Sequence, residues 1–278
     1  MNIKGPDFLN SNPQMIQKRY EGFLKTPYLW KGNTVYDLHQ LEISTEIHKI
    51  NIDIDEKLRL GKYVERLVTI ELESHKNISF IAENIQIQDN KTTLGELDCL
   101  LLIDGEPVHL EIIFKFYLYD PSVGTTEIEH FIGPNRKDSL KEKLTKLKNK
   151  QLPLLYHPIT EKYLTQFKLN RNQIRQQVYF KAQLFVPFDN QKIKLKTLNN
   201  DCIIGFYINE TQLQQFENCK FYIPNKKEWL VVPHQNVNWI LFDAFVKKAK
   251  LYFEQQFSPL CWIKFKNGEL KKAFLIWW

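Results

Sequence analysis

The acids and the lysine of one stretch, residues 93–119 (TLGELDCLLLIDGEPVHLEIIFKFYLY), carry the clearest chemistry in this chain. Asp104-Gly105 is a strong hairpin signal, because a tight two-residue loop needs positive φ, which glycine adopts without steric strain. With these two as the loop, Ile103 pairs with Glu106, and Asp98 falls opposite Glu111. Side chains alternate between faces along a strand, so Glu96 and Asp98 share a face with Glu111, Ile113 and Lys115. Carboxylates directly opposite each other lie about 4.5–5.5 Å apart at Cβ and repel. In an apolar hairpin that repulsion calls for a cation. Mg²⁺ (or Mn²⁺), held by one or two carboxylates plus waters, suits the pair. The competing reading is an acid exposed at a sheet edge or paired with Lys or Arg. His109 shares the face of Glu111 and reads as hydrogen-bonding a neighbouring carboxylate. Glu96 shares it without an assigned role.

The surrounding pattern supplies the elements that position these groups. Residues 56–75 form the clearest helix, with Leu60, Tyr63, Val64, Leu67 and Val68 as its apolar stripe. Glu65 flanks that stripe, and on position alone reads as a solvated partner of Lys62 or Arg66. Ile78 to Gln88 is a strand that turns at Asp89-Asn90-Lys91 into the hairpin, giving a three-stranded antiparallel meander. Gly133-Pro134-Asn135 breaks the chain. A second helix is expected from Asp138 to about Lys150, with Leu140, Leu144 and Leu147 inward and capping-box spacing at Ser139 and Glu142. Its other faces carry Lys137, Lys141, Lys143, Lys146, Lys148 and Lys150 beside Arg136. They form either a solvated face or a surface for phosphates. Residues 162–176 are weakly helical. Val178 to Phe188 reads as a strand able to join the sheet in parallel through a crossover.

The flanks are less regular. A short helix is expected over residues 14–25, and residues 31–55 read as an irregular strand or linker. In residues 189–278, Lys192, Lys194 and Lys196 alternate with Ile193 and Leu195 as in an edge strand. A helix is expected within NWILFDAFVKKAKLYFEQQF, and a closing hairpin at Asn267-Gly268. Five tryptophans fall here, at 229, 239, 262, 277 and 278, and read as core more readily than as base-stacking platforms. The expected division is an N-terminal helical arm and linker (1–55), a core (56–188), and an aromatic-rich α+β region packed on it (189–278).

Composition narrows the class. With 43% hydrophobic and 25% charged residues in 278, the chain has an ordinary globular make-up. No apolar run reaches the roughly 18–20 residues of a membrane span, and the first residues lack an apolar signal-peptide core. Four cysteines, 99, 202, 219 and 261, form no CxxC pair, which argues against a zinc site and for a reduced, cytoplasmic protein. A net charge of +6 permits nucleic-acid binding without demanding it. The sequence leaves the oligomeric state open, a homodimer included.

The order helix, three-strand meander, helix, strand, with GELD followed by HLEIIFK, resembles the PD-(D/E)xK nuclease superfamily. LGKYVE, TLGELDCLL, HLEIIFKFYL, GPNRKDSLKEKL and AQLFVPF more closely resemble an uncharacterised family, domain of unknown function 1853, which has been placed in that superfamily. The resemblance runs from about Tyr20 to the C-terminus and is most specific from Gly61 to Leu152. It implies an α/β fold with a restriction-endonuclease-like core, an N-terminal helical arm and a C-terminal α+β extension. It also implies a metal-dependent nuclease acting on DNA or RNA, with a catalytically inactive module binding nucleic acid or protein as the alternative. Carried over by position, Glu65, Asp98 and Glu111 are the metal-binding acids. Arg136, Lys137 and Lys141 are expected to grip flanking phosphates. The superfamily's lysine normally stands two residues after the third acid, where this chain has Ile113. Lys115, two residues further on, is the expected catalytic lysine, with Lys137 or Lys141 as substitutes. At ~3.4 Å per residue, Lys115 begins ~13–14 Å from Glu111 along the strand.

Overall fold

The computed structural model describes residues 12–278. Helix α1 (Pro13–Leu24) starts on the side chain of Asn12, which caps Gln14 N. Helix α2 (Leu60–Glu73) follows an extended segment that forms only isolated bridges, among them Tyr28 with Lys181 and Gln40 with Val178. The meander is β1 (Ile78–Asp89), β2 (Thr92–Ile103) and β3 (Glu106–Tyr119). Asp104 and Gly105 take φ of 53° and 83°, the left-handed pair that a two-residue hairpin loop requires. The expected register holds from Ile103–Glu106 to Cys99–Leu110.

Strand β4 (Phe131–Ile132) pairs back on the end of β3. Helix α3 (Leu140–Lys146) is capped by the Ser139 hydroxyl, which accepts from Glu142 N at 3.2 Å. The expected long helix then widens into a π-helical turn, Leu147–Gln151, and tightens at Leu152–Tyr156. Helix α4 (Glu161–Gln166) leads to β5 (Arg175–Pro187), which runs parallel to β3 over eleven pairs, as expected of a crossover.

The sheet continues into β6 (Ile203–Ile208), β7 (Lys220–Tyr222), β8 (Ile240–Leu241), β9 (Leu260–Lys264) and β10 (Leu270–Leu275), with helix α5 (Phe242–Glu254) between β8 and β9. Among the described residues the order is β1-β2-β3-β5-β6-β10-β9-β7-β8, with β4 beside β3. The expected edge strand at Lys192–Lys196 is absent. The backbone N–H groups of Lys196, Thr197 and Leu198 donate instead to the Glu127 carboxylate at 2.6–3.0 Å, fixing this stretch as a loop.

Helices cover the two faces of the meander differently. Tyr63, Val64, Leu67 and Val68 of α2 pack with Cys99, Leu101, Val108 and Leu110. Leu140, Leu144 and Leu147 pack with Ile113 and Tyr117 on the opposite face. Alternation therefore directs Asp98, His109 and Glu111 toward the α3 side. Beneath α2, the buried Glu71 carboxylate lies 3.6 Å from the buried Lys181 ammonium, and both are enclosed by Phe23, Tyr28 and Tyr179. Trp229 and Trp262 are buried, as expected of core residues, while Trp278 closes on Tyr207.

Candidate active site

Strands β2 and β3 separate just before the Asp98–Glu111 pair would form. β2 pairs with β1 on both sides of Asp98, from Ile103 to Thr92, whereas β3 beyond Leu110 pairs with β5. The side chain of Asp98 takes over where the ladder stops, accepting the Ile112 N–H at 2.8 Å. The separation leaves a notch in the sheet, with Asp98 partly buried on one lip and Glu111 fully buried on the other.

The two acids share one electrostatic environment. Burial first, and then the Glu111 charge, push the Asp98 carboxyl up to about 7; the Ile112 hydrogen bond opposes the rise. Glu111 is held at both oxygens. Gln151 Nε2 donates to Oε2 at 2.5 Å, and His109 Nε2 lies 3.1 Å from Oε1. The Gln176 amide donates to His109 Nδ1 at 3.0 Å and to Leu152 O at 2.6 Å. That contact assigns the ring proton to Nε2, which donates to Glu111. Among the described residues, no lysine or arginine lies within 4 Å of either carboxylate.

The cation coupled to the pair is Lys143, on α3. Burial pushes its ammonium down to about 8, while attraction to Glu111 and then to Asp98 opposes the fall. Its Nζ donates to Gln151 Oε1 at 2.8 Å, so one glutamine side chain joins Lys143 to Glu111. The π-helical turn places Gln151 there; such turns recur at functional sites. Sequence reasoning missed both residues. Lys143 carried a signal, since it stands three residues after Leu140 and so flanks the buried stripe, whereas Lys141 points away. Gln151 carried none, because a π-turn has no hydrophobic signature.

The remaining expected residues are spread more widely. Glu65 stands on the α2 side, tied to Lys62 at 2.8 Å, and Lys62 also bonds Glu96. Burial raises the Glu65 carboxyl, and its charge adds to the rise at Asp98. Lys115 is ion-paired with Asp138 at 2.6 Å and not with Glu111. Arg136 pairs with Asp120 at 3.0 Å and stacks on Trp278 at 4.3 Å, Lys141 pairs with Glu129, and Lys137 is exposed.

As a metal site, the pair offers the partly buried carboxylate of Asp98, while the Glu111 carboxylate is fully buried and accepts a hydrogen bond at each oxygen. Among the described residues there is no group of three acidic, histidine or cysteine side chains close enough to hold an ion. A hard divalent cation with several retained waters needs only one or two carboxylates. Among the described residues no helix is long and apolar enough to cross a membrane.

Comparison with known proteins bears on family and not on activity. No curated protein and no solved structure matches the chain. A family model, Domain of unknown function (DUF1853), matches residues 3–273, nearly the whole sequence, and the chain therefore belongs to that family.

Proposed function

We propose that this chain is a metal-dependent nuclease of the PD-(D/E)xK type, hydrolysing phosphodiester bonds of DNA or RNA. The observation that supports it most is the acid pair where β2 leaves β3, with Lys143 joined to Glu111 through the Gln151 side chain. Asp98 and Glu111 are the residues that would hold Mg²⁺ or Mn²⁺. When bound, the ion supplies Lewis acidity toward water and a phosphoryl oxygen. The chain's own groups do the rest. His109 and Gln151 fix the direction of the Glu111 carboxylate. Lys143 takes the role first expected of Lys115, stabilising charge that develops on the phosphate and orienting the attacking water. Glu65 completes the acidic lining from the α2 side. Lys137 meets flanking phosphates directly; Arg136 and Lys141 do so by exchanging Asp120 and Glu129 for them.

A second reading, a nuclease-like module that binds nucleic acid or protein without cleaving, is favoured by one observation: both Glu111 oxygens already accept hydrogen bonds. Incubating labelled DNA and RNA with Mg²⁺ or Mn²⁺, for wild type and Asp98→Asn, separates the two. Cleavage lost in a folded Asp98→Asn protein supports the nuclease. Equal behaviour of the two proteins removes it.

A further inference from the structure

The region after residue 188 brings a cation toward the turn that carries Asp138. Lys226 follows β7 and lies with its ammonium 4.1 Å above Trp229 and 5.9 Å from Phe257. Among the described residues it has no acidic partner within 4 Å. Burial pushes its ammonium below the ordinary lysine value; attraction to Asp138 opposes that fall, and repulsion from Lys115 adds to it. Asp138 is already engaged by Lys115 at 2.6 Å. Lys143 in turn feels repulsion from Lys115 and Lys146. Lys115, held by Asp138, and Lys226, which feels the same carboxylate, thus bring two ammonium groups to one acid. The turn that carries Asp138 is bound to the C-terminal segment: Ser258 N donates to Asn135 Oδ1 at 2.7 Å, and Trp278 Nε1 donates to Pro134 O at 3.0 Å.

Two ammonium groups that share one carboxylate leave one positive charge without an acidic partner. An anion resolves it. We propose that Lys115 and Lys226 form a phosphate-binding subsite of the nucleic-acid path, one that receives a backbone phosphate beside the one at the notch. Asp138 occupies Lys115 until substrate arrives. This rests on the nuclease-type reading for the identity of the strand, but binding can be measured without cleavage.

The test is anisotropy of labelled single-stranded and duplex oligonucleotides in EDTA, over a range of salt concentrations. Lys226→Gln weakens binding several-fold and lowers the slope of log affinity against log salt by about one, as for loss of one phosphate contact. Lys226→Arg keeps both. Asp138→Asn tightens binding, an effect that a merely structural lysine would not produce. Thermal midpoints with inorganic phosphate form the second arm: a rise in wild type that is absent in Lys226→Gln, without oligonucleotide binding, moves the subsite to free phosphate and overturns the strand assignment. Unchanged affinity and slope in folded Lys226→Gln, or no binding by wild type in either arm, overturns the proposal. Binding that depends on Lys226 in a protein that never cleaves overturns the nuclease reading alone.

Discussion

The carboxylate of Asp98 accepts the backbone N–H of Ile112 at 2.8 Å, where β2 and β3 cease to pair. A side chain here substitutes for a carbonyl of the ladder. The sheet can therefore open without leaving a buried donor unmatched, which would destabilise by about 1–3 kcal/mol. The opening turns two neighbouring acids of a hairpin into the rim of a notch.

Lys143, and not Lys115, is joined to Glu111, through the side chain of Gln151. Lys143→Met is expected to lower cleavage by about 10²–10³-fold, the usual loss when one group that stabilises developing charge is removed. Lys115→Met, whose ammonium is held by Asp138 at 2.6 Å, has the smaller effect on the rate. Single-turnover cleavage rates at saturating enzyme check the ranking.

His109 and Gln151 act through Glu111. His109→Phe removes one donor to a fully buried carboxylate and leaves Gln176 without its ring acceptor. The expected outcome is a stability loss of about 1–3 kcal/mol. Divalent-ion affinity should fall by roughly 10–100-fold, as for other groups that orient a ligand. Gln151→Leu also removes the acceptor of the Lys143 ammonium, and should move the alkaline limb of the activity profile to lower pH. Urea unfolding and a pH–rate profile measure the two effects separately.

Lys272 offers a pH test remote from the notch. Its buried ammonium donates to Gln183 Oε1 at 3.0 Å and to Trp229 O at 2.5 Å, and burial pushes it down to about 7 from an ordinary 10.5. Between these values the unfolded chain binds more protons than the folded one, so stability rises with pH. The single-group contribution is about 1.4 kcal/mol per pH unit within that window. Lys272→Met should remove this gain between about pH 7 and 10. Denaturation midpoints for both proteins at three pH values in that range decide it.

Much of the positioning was legible in local pattern. Asp104-Gly105 set the hairpin register, alternation put Asp98 and Glu111 on one face, the stripe from Leu60 to Val68 marked α2, and Asn267-Gly268 marked the β9–β10 turn, where Gly268 has φ of 84°. What escaped depended on tertiary competition. Residues 192–196 alternate as a strand should, yet the Glu127 carboxylate takes the backbone donors that follow. The separation of β2 from β3 needs β5 to claim β3, which no local window contains. Lys143 was hidden among six lysines because choosing between them required knowing which helix face meets Glu111. The single sheet that carries β6 to β10 onward from β5 was equally invisible, since β10 joins β6 in parallel across a long intervening stretch of chain.

The acid pair as a divalent-ion site is the central claim, and Mn²⁺ binding followed by electron paramagnetic resonance reaches it directly. Wild type should bind Mn²⁺ at one site competed by Mg²⁺, with affinity falling about tenfold or more in both Asp98→Asn and Glu111→Gln while circular dichroism stays unchanged. Binding that is absent in wild type, or undiminished in both variants, would contradict the account.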